Sequence, residues 1–421
     1  MIRRLFASPN LDRLGLAVLG LALWIRYPSH FLASAPYLMD FNVYYAVAHR
    51  VLAGAAAQLY LPTTSNSDMM VFKYAPVWAL VCAPLAWLTP QTAAILWTTF
   101  NLLALLATLA LGRALARRAG LNPWPLLGVL AVLMILRPLG EEMGNGQVNL
   151  LWSVLVAAFL YAAATNRLWT AAWALAGAIL LKLPALIFLP YLVCRRQSRL
   201  AIRTVMLAAA LTVVSSALLH PAAPLQLISD WCIALARNGS AYAFEIGNQS
   251  FLALLGRLFT SDGYGLNVLA LPRPALAWLA LGVLGGVSAA IAWPSRTAAA
   301  PGTARWLYEI ATLGTVMVIF SPSCTMPSYT ALALPIYVAL AALGEQLQRR
   351  RIDPVSAALA AIGFLMMLLT HKPLWRAMRL MVWRGEAYVY LVFMVLPWFG
   401  VALTALLWRQ LALTERAKDT V

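Results

Sequence analysis

The chain has 421 residues, of which 62% are apolar and 11% charged, against about 45–50% and about 25% in soluble proteins. Its formal charge of +17 comes from 31 Lys and Arg against 14 Asp and Glu. The basic residues sit at the ends of apolar runs rather than along one face, which is topogenic charge and argues against nucleic acid as a partner. With mean hydropathy at +0.78 and apolar runs of roughly 18 residues or more, a cytosolic enzyme, a secreted domain and a β-barrel are excluded, because barrel strands alternate. The expectation is an all-α polytopic membrane protein.

Arg3, Arg4 and Arg13 precede the first apolar run, Leu14–Leu32. Ala33-Ser34-Ala35 resembles a signal-peptidase site, but the run is long for a signal peptide and reads as an uncleaved anchor. With the N-terminus cytoplasmic, residues 33–73 are outside. There Asp40 precedes Tyr44, Val47, Ala48, Val51 and Leu52 at helical spacing, the pattern of an amphipathic helix along the outer interface. Asp40 either caps that helix or faces a surface cavity as a base for an alcohol. Arg113, Arg117 and Arg118 are inside again, so one crossing, Thr92–Leu111, separates them from the outer loop. Tyr74–Leu88, which carries Pro76 and Pro84, is then a half-inserted segment.

Further crossings at 123–138, 147–164, 168–181, 183–194, 200–219, 274–292, 305–321, 328–344, 354–371 and 387–408 alternate so that Arg195, Arg196, Arg349 and Arg409 fall inside. That makes about twelve crossings. Two of them, 168–181 and 183–194, are too short to span alone and meet at Leu181-Lys182-Leu183-Pro184. This reads as a helix broken at membrane depth, which lines a cavity. Lys182 is one of only four lysines, and an ionisable residue inside the membrane marks a site. The alternative is that it caps the broken helix.

On this topology the unusual polar residues collect on the outer face: Asp40 to Arg50, Lys73-Tyr74, Glu141 to Asn149, Lys182, Asn248-Gln249 and Ser321-Pro322-Ser323. A second outer basic stretch, Lys372, Arg376, Arg379 and Arg384, runs against the positive-inside pattern. Either the last helices are misplaced or it meets phosphate or anionic headgroups. Cys82, Cys194, Cys232 and Cys324 have neither disulfide nor zinc spacing, and no His/Asp/Glu cluster has ligand spacing.

Asp40-x-x-Val43-Tyr44, Leu52-x-Gly54 with Leu59-Tyr60, and Phe72-x-Tyr74-x-Pro76 open an ordered set of motifs. Asn145-Gly146-Gln147-x-Asn149, Lys182-x-Pro184 before Arg195-Arg196, and Asn248-Gln249-Ser250 with Arg257 continue it over residues 1–345. The set resembles glycosyltransferase family 87, bacterial mannosyltransferases that take sugar from a polyprenyl-phosphate donor. The resemblance implies a GT-C fold in one transmembrane domain over residues 1–421. Interfacial helices and the catalytic aspartate would lie in the first outer loop, where Asp40 occupies the aspartate's place, and residues 346–421 would hold C-terminal helices and a short tail. Ser321 to Tyr329 lacks the tryptophan and histidines that many relatives carry after a late Ser-Pro, so the usual sugar and acceptor do not follow automatically.

A lipid-phosphate donor needs an interfacial base, cations for the leaving phosphate and uncharged partners for sugar hydroxyls. Asp40 is the expected base, with Glu141 and Glu142 in reserve. Lys182 is the first choice for the phosphate, with Arg257, Lys73 and Arg50 as helpers. Tyr44, Tyr74, Asn145, Gln147, Asn149, Asn248 and Gln249 are expected to meet sugar or acceptor. A monophosphate leaving group calls for no metal or other cofactor. The reading is therefore inverting transfer of a hexose, mannose by the resemblance, to a lipid or glycan acceptor on the periplasmic face of a bacterial inner membrane. Its rivals are a transporter or flippase of lipid-linked saccharides, for which inverted repeats are wanting, and a non-catalytic membrane assembly protein.

Overall fold

The computed structural model describes residues 9–32, 38–63, 70–261, 267–292, 299–371, 373–374, 382–383 and 387–419. The Ala33–Ala35 motif and the basic stretch Lys372, Arg376, Arg379 and Arg384 lie outside the described residues. Apart from a two-residue antiparallel ladder pairing Val382 with Tyr388 and Trp383 with Ala387, the regular structure described is helical. The chain opens with α1 (Pro9–Arg26), α2 (Met39–Leu52), α3 (Pro76–Cys82), α4 (Pro90–Arg118) and α5 (Leu127–Met134). It continues with α6 (Leu136–Asn145), α7 (Asn149–Ala164), α8 (Leu168–Leu181), α9 (Phe188–Cys194), α10 (Ser198–Leu219) and α11 (Pro224–Tyr242). The last helices are α12 (Phe251–Phe259), α13 (Arg273–Ala292), α14 (Ala304–Ile319), α15 (Ala333–Gln348), α16 (Pro354–Leu368) and α17 (Val395–Asp419).

Among the described residues, four segments are long and apolar enough to cross a membrane: α4, α10, the stretch Met326–Gln348 and Val395–Thr414 of α17. The pair α6 and α7 makes a fifth if it is one span, bent by 116°. The chain is thus a polytopic helical membrane protein. The count is below twelve because other apolar helices fall short of the ~20 residues a span needs, among them Leu168–Leu181, Leu183–Cys194 and Pro354–Leu368. Thr92–Leu111 lies within the 29-residue α4. The crossing expected over 123–138 is broken between α5 and α6, and residues 141–145, read from sequence as part of an outer polar cluster, belong to the helix α6. Its buried Leu139, Glu142 and Met143 recur at the i, i+3, i+4 spacing of one helix face.

The chain packs as two compact units. The first comprises Ala17–Ala107 and Gly140–Ala241. Its centre is α7 against α8, where buried Ala157, Ala162 and Ala163 belong to one helix and Ala171, Ala174 and Ala178 to the other. Lipid is as apolar as leucine, so close approach through small residues holds such helices together. Helix α10 also packs on α8, yet only 22% of its apolar window is buried.

The second unit comprises Met1–Leu16, Thr108–Leu139 and Tyr242–Val421. Its centre is α14, buried along its whole length, against α17. They approach so closely that a Cβ on Gly400 would lie 2.3 Å from Ile319 Cγ2. Asp353 caps α16 by accepting the Ser356 N–H at 2.8 Å. The same carboxylate accepts from Arg409 Nη2 at 2.6 Å and Nε at 3.0 Å, which ties α16 to α17.

Candidate active site

The first unit gathers Asp40, Tyr44, Lys73, Tyr74, Glu142, Gln147, Asn149 and Lys182. Helix α2 begins after Leu38, whose extended backbone supplies no side-chain cap. Asp40 is therefore not the N-cap. It stands in the first turn, where the helix dipole favours a carboxylate, and it accepts a hydrogen bond from Gln147 Nε2 at 2.9 Å. Burial raises its pKa from the ordinary carboxylate value, while Lys73, the Gln147 bond and Lys182 pull it back down.

An aromatic wall backs this carboxylate. The Tyr44 and Tyr74 hydroxyls are 2.9 Å apart, and Tyr44 packs on Trp97 with ring centroids 4.9 Å apart. Tyr60 donates to the Tyr74 carbonyl at 3.0 Å, and Trp231 Nε1 donates to the Lys73 carbonyl at 3.2 Å. Burial raises the pKa of both Tyr44 and Tyr74, so both remain phenols. Arg50, half-buried, donates to the carbonyls of Gln58, Leu61 and Pro62 at 2.7–2.8 Å. It fastens the loop after α2.

The helix break at Lys182 is built by Pro184. A continued α-helix would bond the N–H of residue 184 to the Leu180 carbonyl, and proline has none. The Leu180 carbonyl instead accepts the Ala75 N–H at 3.1 Å, which anchors the segment carrying Lys73 and Tyr74. Lys182 turns extended at φ −148° and ψ 120°, and a 3-10 turn, Leu183–Ile187, follows. Lys182 Nζ donates to Asn149 Oδ1 and lies 5.8 Å from the Trp152 ring centroid.

A tight turn brings the amides in. Gly146 has φ +68°, and a Cβ there would lie 2.7 Å from Phe41 Cβ on α2. Only glycine lets this turn touch the helix of Asp40. Trp97 Nε1 donates to the Gly146 carbonyl at 2.7 Å. From Gln147 the bonds continue: Asn149 Nδ2 donates to Gln147 Oε1 at 2.8 Å and to Glu142 Oε2 at 2.6 Å. An unbroken hydrogen-bonded chain thus runs Asp40–Gln147–Asn149–Lys182, with Glu142 as a branch. Asn145 ends α6 half-buried, and Glu141 is half-buried on the same helix.

Asn248, Gln249 and Arg257 belong to the second unit, where they bond to backbone groups. Asn248 Nδ2 donates to the Pro322 and Ala243 carbonyls at 2.7 and 3.1 Å, and its Oδ1 accepts from Ser250 and Cys324 N–H groups. Gln249 is fully buried and donates to backbone carbonyls. Arg257 is 5% exposed and donates to the Leu391 and Ile246 carbonyls. Among the described residues, no three His, Cys, Asp or Glu side chains come together as a metal-holding group.

The family model described as glycosyltransferase family 87 matches residues 72–322, well over half of the chain. The chain belongs to glycosyltransferase family 87. A protein of Mycolicibacterium smegmatis named polyprenol-phosphate-mannose-dependent alpha-(1-2)-phosphatidylinositol mannoside mannosyltransferase is 28% identical over 411 residues, covering 90% of this chain and 87% of that protein. A protein of the same name from Mycobacterium tuberculosis is 28% identical over 220 residues. That match covers 45% of this chain and spans about half the length of that relative, 49%. The family match includes Lys73, Glu142, Gln147, Asn149 and Lys182 but begins after Asp40 and Tyr44, which enter the site on geometry.

Two residues of this family 87 chain escaped the sequence reading. Trp152 lies three positions after Asn149, on the same helix face, and meets Lys182. Trp97 meets both Tyr44 and the Gly146 turn. The spacing from Asn149 was a usable signal for Trp152, whereas nothing local marks Trp97 among the apolar residues of α4.

Proposed function

We propose that the chain is a membrane glycosyltransferase that moves mannose from a polyprenyl-phosphate donor to a hydroxyl of a glycolipid acceptor at the outer face of the membrane. Family membership supports glycosyl transfer, and the two relatives' names support the donor and a phosphatidylinositol mannoside acceptor. The observation that carries the mechanism is the hydrogen-bonded chain from Asp40 to Lys182, which joins a carboxylate base to a cation through two amides. Asp40 takes the proton of the acceptor hydroxyl while that oxygen attacks the anomeric carbon. The bond from that carbon to the phosphate oxygen breaks on the opposite side, so the configuration inverts. A single carboxylate suffices for this route. Polyprenyl phosphate departs with its negative charge against Lys182 and Lys73, the stabilisation that leaving oxyanions need. Gln147, which donates to Asp40, and Asn145, half-buried two residues before it, are the assigned sugar contacts. About twelve crossings in a single GT-C domain remain the proposed architecture.

The decisive assay incubates purified protein in a chelating buffer with polyprenyl-phosphate mannose and a phosphatidylinositol mannoside. Wild type should transfer mannose without added metal. Asp40→Asn, which keeps size and hydrogen bonding, should lose about 10²–10⁴ in rate, the usual contribution of a general base. Transfer by Asp40→Asn above about a tenth of wild type would remove Asp40 from the role. Complete, metal-reversible loss in chelator would require a metal the mechanism does not use.

A further inference from the structure

Glu142 is 1% exposed, and both its oxygens accept hydrogen bonds. Oε1 accepts the N–H of Asn149 at 2.7 Å and of Leu150 at 3.3 Å, and Oε2 accepts Asn149 Nδ2 at 2.6 Å. The residue before α7, Val148, has no side-chain oxygen to cap that helix, so the cap comes from the preceding helix. This carboxylate also decides which way the Asn149 amide points. A carboxylate only accepts and an ammonium only donates, so Nδ2 must face Glu142 and Oδ1 is left for Lys182. The second Nδ2 hydrogen goes to Gln147 Oε1. With its oxygen taken, Gln147 turns its Nε2 to Asp40.

We propose that Glu142 is a positioning residue: by fixing the Asn149 amide it aims Lys182 at the leaving phosphate and Gln147 at the base, Asp40. The proposal rests on the transfer reaction assigned above. It gives Glu142 a role through its neighbours in place of the reserve base expected from sequence, since its oxygens already hold the start of α7 and Asn149. A glutamine at 142 offers one oxygen and one NH2. It either loses a backbone N–H or lets the Asn149 amide turn over.

The test compares Glu142→Gln, Asn149→Ala and the double variant. Asn149→Ala leaves the backbone N–H bonds to Glu142 in place, so it carries the test if Glu142→Gln does not fold. Each single change should lower kcat/KM for polyprenyl-phosphate mannose by about tenfold to a hundredfold, the scale of small misplacements in a site. The double variant should be no slower than the slower single. The acid limb of the rate profile should move to higher pH in both singles, because Asp40 loses its oriented Gln147 donor. Lys182, followed by mass spectrometry, should react several-fold faster with an amine-acylating reagent. Independent, multiplying losses in the double variant, or wild-type Lys182 reactivity in both singles, would overturn the proposal. If wild type transfers nothing, the transfer reaction itself falls, and Lys182 labelling alone then decides whether Glu142 positions it.

Discussion

At the scale of single residues, the proposed base Asp40 should set the pH dependence. Burial holds its pKa above the ordinary carboxylate value, against the opposing pull of Lys73, Gln147 and Lys182. A base works deprotonated, so the rate should fall as pH drops through that raised value rather than through the pKa of a free aspartate. The Gln147 bond stabilises the anion, so Gln147→Leu should move the acid limb to still higher pH; a limb that moves down or stays would contradict this coupling. Gly146 offers a second test. Alanine there meets a left-handed backbone, which costs about 1–2 kcal/mol, and its Cβ would collide with Phe41 Cβ, an atom with no freedom to swing away. Gly146→Ala should lower both melting temperature and transfer. Gly144→Ala is the control, since nothing lies within 4 Å of a Cβ there and alanine in a helix gains about 0.5–1 kcal/mol over glycine. It should be neutral or stabilising.

At the scale of elements, the helix break joins local sequence to the site most directly. Pro184 denies Leu180 its helical partner, Ala75 supplies another, and the extended Lys182 reaches Asn149. Replacing Pro184 with alanine restores an N–H that competes with Ala75 for the Leu180 carbonyl and lets α8 run on. Lys182 would then be carried round the helix, away from Asn149. In Pro184→Ala transfer should therefore fall at least tenfold. Wild-type transfer would detach the break from the chemistry. This break was legible in Leu181-Lys182-Leu183-Pro184, and α2 was legible in its periodicity, because both signals are local. The helix α6 was not, since its acidic residues and glycines resemble an outer loop and its apolar stripe is short. The cap that Glu142 supplies was hidden for the same reason: a buried carboxylate that caps the next helix looks in sequence like any other acid. The bond from Gln147 to Asp40 joins residues 107 apart, and no spacing rule reaches that far. Asn248, Gln249 and Arg257 read as polar site residues by type, yet the same residue types serve equally well to hold backbone carbonyls in a buried turn.

At the scale of the molecule, the proposed mechanism requires that Asp40 and Lys182 work from outside the membrane, and two native cysteines test that requirement without an added thiol. Cys194 and Cys232 are both exposed. Between them lies one helix long and apolar enough to span, α10, with 22 residues. A single crossing places its flanks on opposite sides whatever the count elsewhere. Cys194 adjoins Arg195 and Arg196, and basic residues beside a span favour the cytoplasmic side. Cys232 lies on α11, whose Trp231 donates to the Lys73 carbonyl behind Asp40, so it shares the side of the site. A membrane-impermeant maleimide applied to cells with an opened outer envelope should therefore modify Cys232 at once and Cys194 only after the inner membrane is permeabilised. Cys232→Ser and Cys194→Ser identify the labelled thiol in each case. The reverse order would place Asp40 and Lys182 in the cytoplasm, and equal labelling from outside would deny that α10 crosses at all. Either result would remove the outer-face donor and acceptor from the mechanism, whereas labelling of Cys232 alone puts the base on the side where the proposed acceptor must wait.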